Sequence, residues 1–264
     1  MKTHNVLTTD NEQFSSSLEN GILVIREKQH ILHVTRNLDD IFSLYDYMNS
    51  VLASKACKAL VMFARSEQSA CAEHSRFLSE VLSGGRESFD LDRFLNVVNQ
   101  FILTLSTLNC MMVFAGQGTI SLFYLNTGLA YDYRIVAEDT VFENLNLDIG
   151  LITKGSGYFL PRLLGVRKAT EVLQWKSFSA EDALRLGVVD KIVPASKLEE
   201  ETMEFVSGKQ PHLSSTLLGL RKLFKCDVKE LKRSLALEDD LIRERLRSAE
   251  FRRTFAEKRK DFLA

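Results

Sequence analysis

The chain has 264 residues, 34 Lys and Arg against 35 Asp and Glu for a formal net charge of -1, and 45% hydrophobic residues. The balance excludes a global basic field that would draw nucleic acid or an anionic membrane, and the apolar fraction is that of a globular protein with a large core. The longest apolar stretches, 110–115 and 119–131, fall short of the roughly 20 residues needed to span a bilayer. Residues 1–11 are polar and lack the apolar core of a secretory leader, so a cytoplasmic protein is expected. Cys57, Cys71, Cys110 and Cys226 are scattered without metal-ligand spacing and read as reduced thiols, with neither a disulfide framework nor a metal site.

In chain order, 22–25 and 30–34 read as short β segments, and 38–54 carries the apolar spacing of a helix. Residues 59–63 form a continuous apolar run, the pattern of a strand covered on both faces. Segment 90–108 returns to helical spacing through Phe94, Leu95, Val98, Phe101 and Ile102, and 111–115 reads as the next buried strand. Such alternation belongs to α/β architectures. Gly116 and Gly118 interrupt the chain behind that strand and 119–131 reads as a helix, whose N-terminus presents free backbone N–H groups where negative charge is favoured.

Further on, Ser179-Ala-Glu-Asp182 has the form of a capping box for a helix ending at Gly187. Residues 188–193 read as one more strand, closed by Pro194, and from 196 the pattern is helical almost throughout. The expected organisation is therefore a loose stretch at 1–14, a mixed α/β core at 15–195 and an all-helical region at 196–264.

The stretch Ala130-Tyr-Asp-Tyr-Arg-Ile-Val-Ala-Glu138 is followed by Phe142, Gly150-Leu151-Ile152, Gly155, Gly157 and Leu160-Pro-Arg-Leu-Leu-Gly165. Together with Lys168-Ala169, Glu171-Val-Leu173, the run from Phe178 to Asp190 and Phe255-Ala-Glu-Lys-Arg-Lys260, it resembles the enoyl-CoA hydratase/isomerase, or crotonase, family. The resemblance implies an α/β fold, a crotonase-like spiral of ββα repeats with a C-terminal all-helical trimerisation region. It also implies a homotrimer or dimer of trimers, and an acyl-CoA ligand whose thioester sits in an oxyanion hole of two backbone N–H groups. Coenzyme A enters as part of the ligand, and no separate cofactor is implied.

Carried over residue by residue, the first donor is the N–H of His74, in Cys71-Ala72-Glu73-His74-Ser75, with Cys71 and Ala72 beside the CoA. The second is the N–H of Phe123, in Leu122-Phe123-Tyr124, where the family has three glycines. The two glutamates that add or remove water in hydratases fall on Asn126 and Asn146. Amides do not titrate, and each general acid or base contributes about 10²–10⁴ in rate, so ordinary hydration loses both proton carriers. Asp148, two residues from Asn146, shares its face if the segment is extended, which makes Asp148 and His74 the candidate polar groups. Glu143, Tyr124, Lys154 and Tyr158 lie near in the inferred layout and read as structural or solvated. Lys258, in a basic run, is placed to meet CoA phosphates. The expectation is an acyl-CoA-binding family member with weak or no hydratase activity, the alternative being a non-catalytic acyl-CoA-binding or scaffold subunit.

Overall fold

The computed structural model describes residues 7–29, 38–54, 56–64, 87–209, 215–225 and 227–263. Strands β1 (Thr9–Asp10), β2 (Phe14–Glu19) and β3 (Ile22–Glu27) form an antiparallel meander. Asn20 and Gly21, with φ of 51° and 81°, make the two-residue turn between β2 and β3. A left-handed pair of this kind matches hairpin twist, and Asn-Gly adopts it at little cost. Strand β1 lies in the stretch expected to be loose, where Thr9 pairs with Ser16 and Asp10 with Ser15.

Helix α1 (Leu38–Ala53), strand β4 (Ala59–Phe63), helix α2 (Glu87–Thr107) and strand β5 (Met111–Gly116) follow in the predicted order. Strands β3, β4 and β5 pair in parallel. The segment 30–34, expected as a strand, lies outside the described residues.

Beyond β5 the chain leaves this sheet. Strand β6 (Thr119–Ser121) pairs with β8 (Val141–Glu143) in a second sheet that β9 (Ser177–Ser179) completes. Helix α3 (Leu122–Gly128) follows β6, and β7 (Tyr133–Ala137) returns to the main sheet beside β5. Then come α4 (Leu145–Ile149), α5 (Ser156–Leu164), α6 (Val166–Val172), α7 (Ala180–Leu186) and β10 (Lys191–Val193), which pairs with β7. The orders are β1-β2-β3-β4-β5-β7-β10 and β6-β8-β9. From β5 on, a strand in the main sheet is followed by a short strand in the other and then a helix, which is the ββα winding the resemblance implies.

Two expectations change. Residues 119–131 begin as a strand because β6 pairs with β8, and only Leu122–Gly128 is helical. The strand expected at 188–193 narrows to Lys191–Val193, because the N–H groups of Val188 and Val189 turn back to the Ala183 carbonyl at the end of α7.

Alternation in β3, β4 and β5 splits the interior into two layers. Leu23, Ile25, Leu60, Met62, Met112 and Phe114 face the larger core with α2 and α3. Ile22, Val24, Ala59, Val61, Met111 and Val113 face a smaller one capped by Leu198 and Val206 of α8 (Leu198–Lys209). Helices α9 (Ser215–Lys225), α10 (Val228–Arg247) and α11 (Ala249–Leu263) follow, with α10 packed on α2 and α5. Cys57 and Cys110 are buried and are not joined in a disulfide. Among the described residues no helix is long and apolar enough to cross a membrane.

Candidate functional site

Ligands of parallel sheets gather outside the carboxyl ends of the strands. Here the parallel strands are β3, β4, β5, β7 and β10, of which the first three, adjacent in the sheet, finish at Glu27, Phe63 and Gly116. An apolar cavity of about 40 Å³ lies on the larger-core side, among Phe14, Ile25, Glu27, Tyr47, Met62 and Phe101. A more polar one of about 280 Å³ opens among Arg26, Glu27, Ala64, Gln117, Ser196 and Glu199. Glu27 lines both.

Helix α3 starts where β6 ends. Ser121 is its extended N-cap, with its hydroxyl accepting from the Tyr124 N–H at 3.4 Å. The other N–H groups of a first turn, that of Phe123 among them, have no acceptor within the helix. The Phe123 ring is 5% exposed and sits 6.0 Å from the rings of both Phe94 and Tyr124, so it fills core where glycines would leave space. The Tyr124 hydroxyl donates towards Glu27, 3.2 Å from each carboxylate oxygen. This link across 97 residues escaped the sequence reading. Its only trace in the sequence is a carboxylate closing an apolar strand.

Asn126 and Asn146 are both buried, and both bring their side-chain amides to one short segment. Asn126 Nδ2 donates to the Lys154 carbonyl at 3.2 Å. Asn146 Nδ2 donates to the Ile152 carbonyl at 3.2 Å and reaches Thr153 Oγ1 at 3.5 Å. These acceptors fix which end of each amide is nitrogen. Both Oδ1 atoms are buried and meet no donor among the described residues. Gly155 makes the close fit possible, with φ of 84° and a position where a Cβ would stand 3.3 Å from that of Asn126.

Asp148 does not share the face of Asn146. The segment is helix α4 rather than extended chain, so residues two apart diverge: Asn146 points inward while Asp148 lies at the surface, 3.0 Å from Lys176. His74, Cys71 and Ala72 lie outside the described residues. Lys258 is exposed on α11. Glu143 stands opposite Ser121 in the β6–β8 ladder.

Lys154 and Tyr158 have structural partners. Lys154 Nζ, buried, donates to Asp239 at 2.5 Å and to the Leu235 carbonyl at 2.8 Å, with Glu238 at 3.5 Å. Glu238 accepts the N–H groups of Gly155 at 2.8 Å and Gly157 at 2.6 Å, and Asp239 accepts Asn99 Nδ2 at 2.8 Å. Burial raises the Glu238 carboxyl, against the lowering effect of Lys154 and the two backbone donors. The cluster fastens α10 to α2 and to the start of α5. Tyr158 holds the entry to α10 by accepting the Asp227 N–H at 2.8 Å, beneath the Arg162 guanidinium.

The motif richest in family character is a set of fasteners. Asp132 accepts the Met112 N–H at 2.7 Å, tying the entry of β7 to β5. Asp190 accepts the Arg134 N–H and pairs with its guanidinium, both at 2.8 Å, ahead of β10. Burial lowers the Arg134 guanidinium, with Asp190 and Asp132 opposing.

The sequence profile of the enoyl-CoA hydratase/isomerase family matches residues 91–263, well over half of the chain. The chain belongs to this family. A curated relative, trans-2-decenoyl-[acyl-carrier-protein] isomerase of Streptococcus mutans, is 30% identical over 114 residues, 42% of this chain and 43% of that protein. The match thus spans less than half of that relative's length. Among solved structures, enoyl-CoA hydratase from Bacillus halodurans superposes with a TM-score of 0.76 at 20% identity, covering 93% of this chain and 99% of that one. HypX from Aquifex aeolicus, in complex with tetrahydrofolic acid, gives 0.75 at 14% identity over 97% of this chain and 48% of its own. At these identities the structures establish the crotonase fold.

Proposed function

We propose that this family member binds an acyl thioester at the carboxyl ends of β3, β4 and β5, and that its chemistry is an internal proton shift in the acyl chain rather than addition of water. The observation that carries this reading is the amide pair. Asn126 and Asn146 stand where hydration needs two proton carriers, and both are held by the backbone of 152–154. Moving a double bond requires only that one proton leave one carbon and return to another, so a single base suffices. The name of the Streptococcus mutans relative, an isomerase of decenoyl-[acyl-carrier-protein], supports it. So does the start of α3, where an N–H such as that of Phe123 stabilises a developing enolate by about 3–4 kcal/mol.

A second reading, a subunit that binds without catalysis, is favoured by the Phe123 ring and by the small size of the apolar cavity, about 40 Å³. Assembly of copies through the helical region is part of either reading. Exposed Leu237 and Leu241 lie a turn apart on α10, and Leu223 and Phe224 are exposed on α9.

Thermal shift with acyl-CoA of several chain lengths tests binding by linkage, and the absence of any shift would sink both readings. Crotonyl-CoA hydration should run at least ~10²-fold below an ordinary hydratase, measured beside Asn126→Glu/Asn146→Glu. An ordinary rate in the unmodified protein would overturn the reading of the amide pair.

A further inference from the structure

An internal proton shift needs a base, and the positions that supply one in hydratases hold amides. Among the other carboxylates near the site, Glu199 lines the polar cavity and is paired with Arg26. Asp148 is at the surface with Lys176. Glu238 and Asp239 are engaged by Lys154, Asn99 and the N–H groups of Gly155 and Gly157. Glu143 stands beside Ser121 at the edge of the second sheet. Glu27 differs from all of these in three independent respects. It ends β3, which pairs in parallel with β4, itself paired with β5, the strand that leads on to β6 and α3. It faces both cavities at that edge. It is joined to the first turn of α3 through the Tyr124 hydroxyl, and Tyr124 is the residue after the proposed carbonyl donor, Phe123.

We propose that Glu27 is the base of this site and that Tyr124 positions it, for the migration of a carbon–carbon double bond in a short enoyl thioester. The assignment rests on the thioester reading above. The carboxylate takes a proton from Cα of a 3-enoyl thioester, and the C–H electron pair passes into the carbonyl to give a dienolate whose oxygen lies at the N-terminus of α3. The protonated Glu27 then returns the proton to Cγ. The carbonyl re-forms, the double bond settles between Cα and Cβ, and the carboxylate is regenerated with nothing added or lost.

Turnover of 3-hexenoyl-CoA, followed by the absorbance of the conjugated 2-enoyl product, tests the step in the full chain. Glu27→Gln, close to isosteric, should lower kcat by ~10²-fold or more while the thermal shift given by hexanoyl-CoA is kept, and Glu27→Asp should recover part of the rate. Tyr124→Phe removes a donor to the carboxylate, so the acid limb of the pH–rate profile should move to higher pH. Exchange of the α-protons of butyryl-CoA with deuterated water should follow Glu27 in the same way, without needing a double bond. The assignment is overturned if Glu27→Gln keeps its rate within a few-fold, if Glu143→Gln abolishes turnover instead, or if the unmodified protein binds hexanoyl-CoA yet neither isomerises nor exchanges. Absence of binding would overturn the thioester reading itself, a result distinct from these.

Discussion

Two buried polar regions meet at Lys154, and they are built on opposite principles. On its backbone side the Lys154 carbonyl accepts the amide of Asn126, with Asn146 close by on Ile152, and among the described residues the two amide oxygens here meet no donor. On its side-chain side, Lys154 meets Glu238 and Asp239, and every carboxylate oxygen there has a donor. The charged region is the structural one, because it clamps helix α10 to the core. The neutral one holds the two amides that the family resemblance aligns with the glutamates of hydratases. Buried charge here marks a structural clamp, and the carboxylate that lines both cavities is Glu27.

The largest effect should come from breaking the charged side. Lys154→Met leaves two buried carboxylates without their cation and should cost about 3–5 kcal/mol in urea unfolding. A loss below about 1 kcal/mol would show that water reaches the cluster. On the neutral side, Asn126→Asp removes the donor to Lys154 and places a carboxyl in a buried site, at a cost of about 1–3 kcal/mol. That cost should grow with pH as the new group is forced to ionise, and a pH-independent loss would argue against a dry pocket.

The third comparison is a slope. The Glu238 carboxyl is raised above its ordinary 4.5 by burial, so the folded protein holds this proton more tightly than the unfolded chain. Its contribution is full below the unfolded value and is lost as pH rises through the raised one. Unfolding free energy should therefore fall with pH above 4.5, and Glu238→Gln should remove that part of the slope. The smallest effect belongs to the surface. Asp148→Asn breaks the exposed pair with Lys176 and should change stability by no more than about 1 kcal/mol, with turnover unchanged; a large loss of activity would return Asp148 to the site.

The fold was legible where chain-local rules decide it. The apolar runs of β4 and β5, the spacing of α1 and α2, and the Ser179 capping box all follow from periodicity and capping chemistry. The family motif was legible because its residues lie close together in sequence, and in the fold Asp132, Arg134 and Asp190 fasten strands. The site was less legible. The identities of Asn126 and Asn146 could be read, but their common anchor on 152–154 is a tertiary contact. The shared face expected of Asn146 and Asp148 fails because the segment is helical, and five residues carry too little periodicity to tell a short helix from extended chain. The Tyr124–Glu27 contact joins two elements whose proximity exists only once the sheet has formed.

The Asn20–Gly21 turn bears on how that sheet comes into being. Strands β2 and β3 meet across two residues, whereas Ile22 finds its next partner at Ala59, and each later neighbour in the main sheet likewise arrives through a crossover. Hairpins close in microseconds, while pairings distant in sequence must first overcome loop-closure entropy. The hairpin is thus the piece of the main sheet that can assemble early. It presents the free edge of β3 as the template on which β4 docks, so Glu27, at the end of that edge, is in position before the rest of its surroundings.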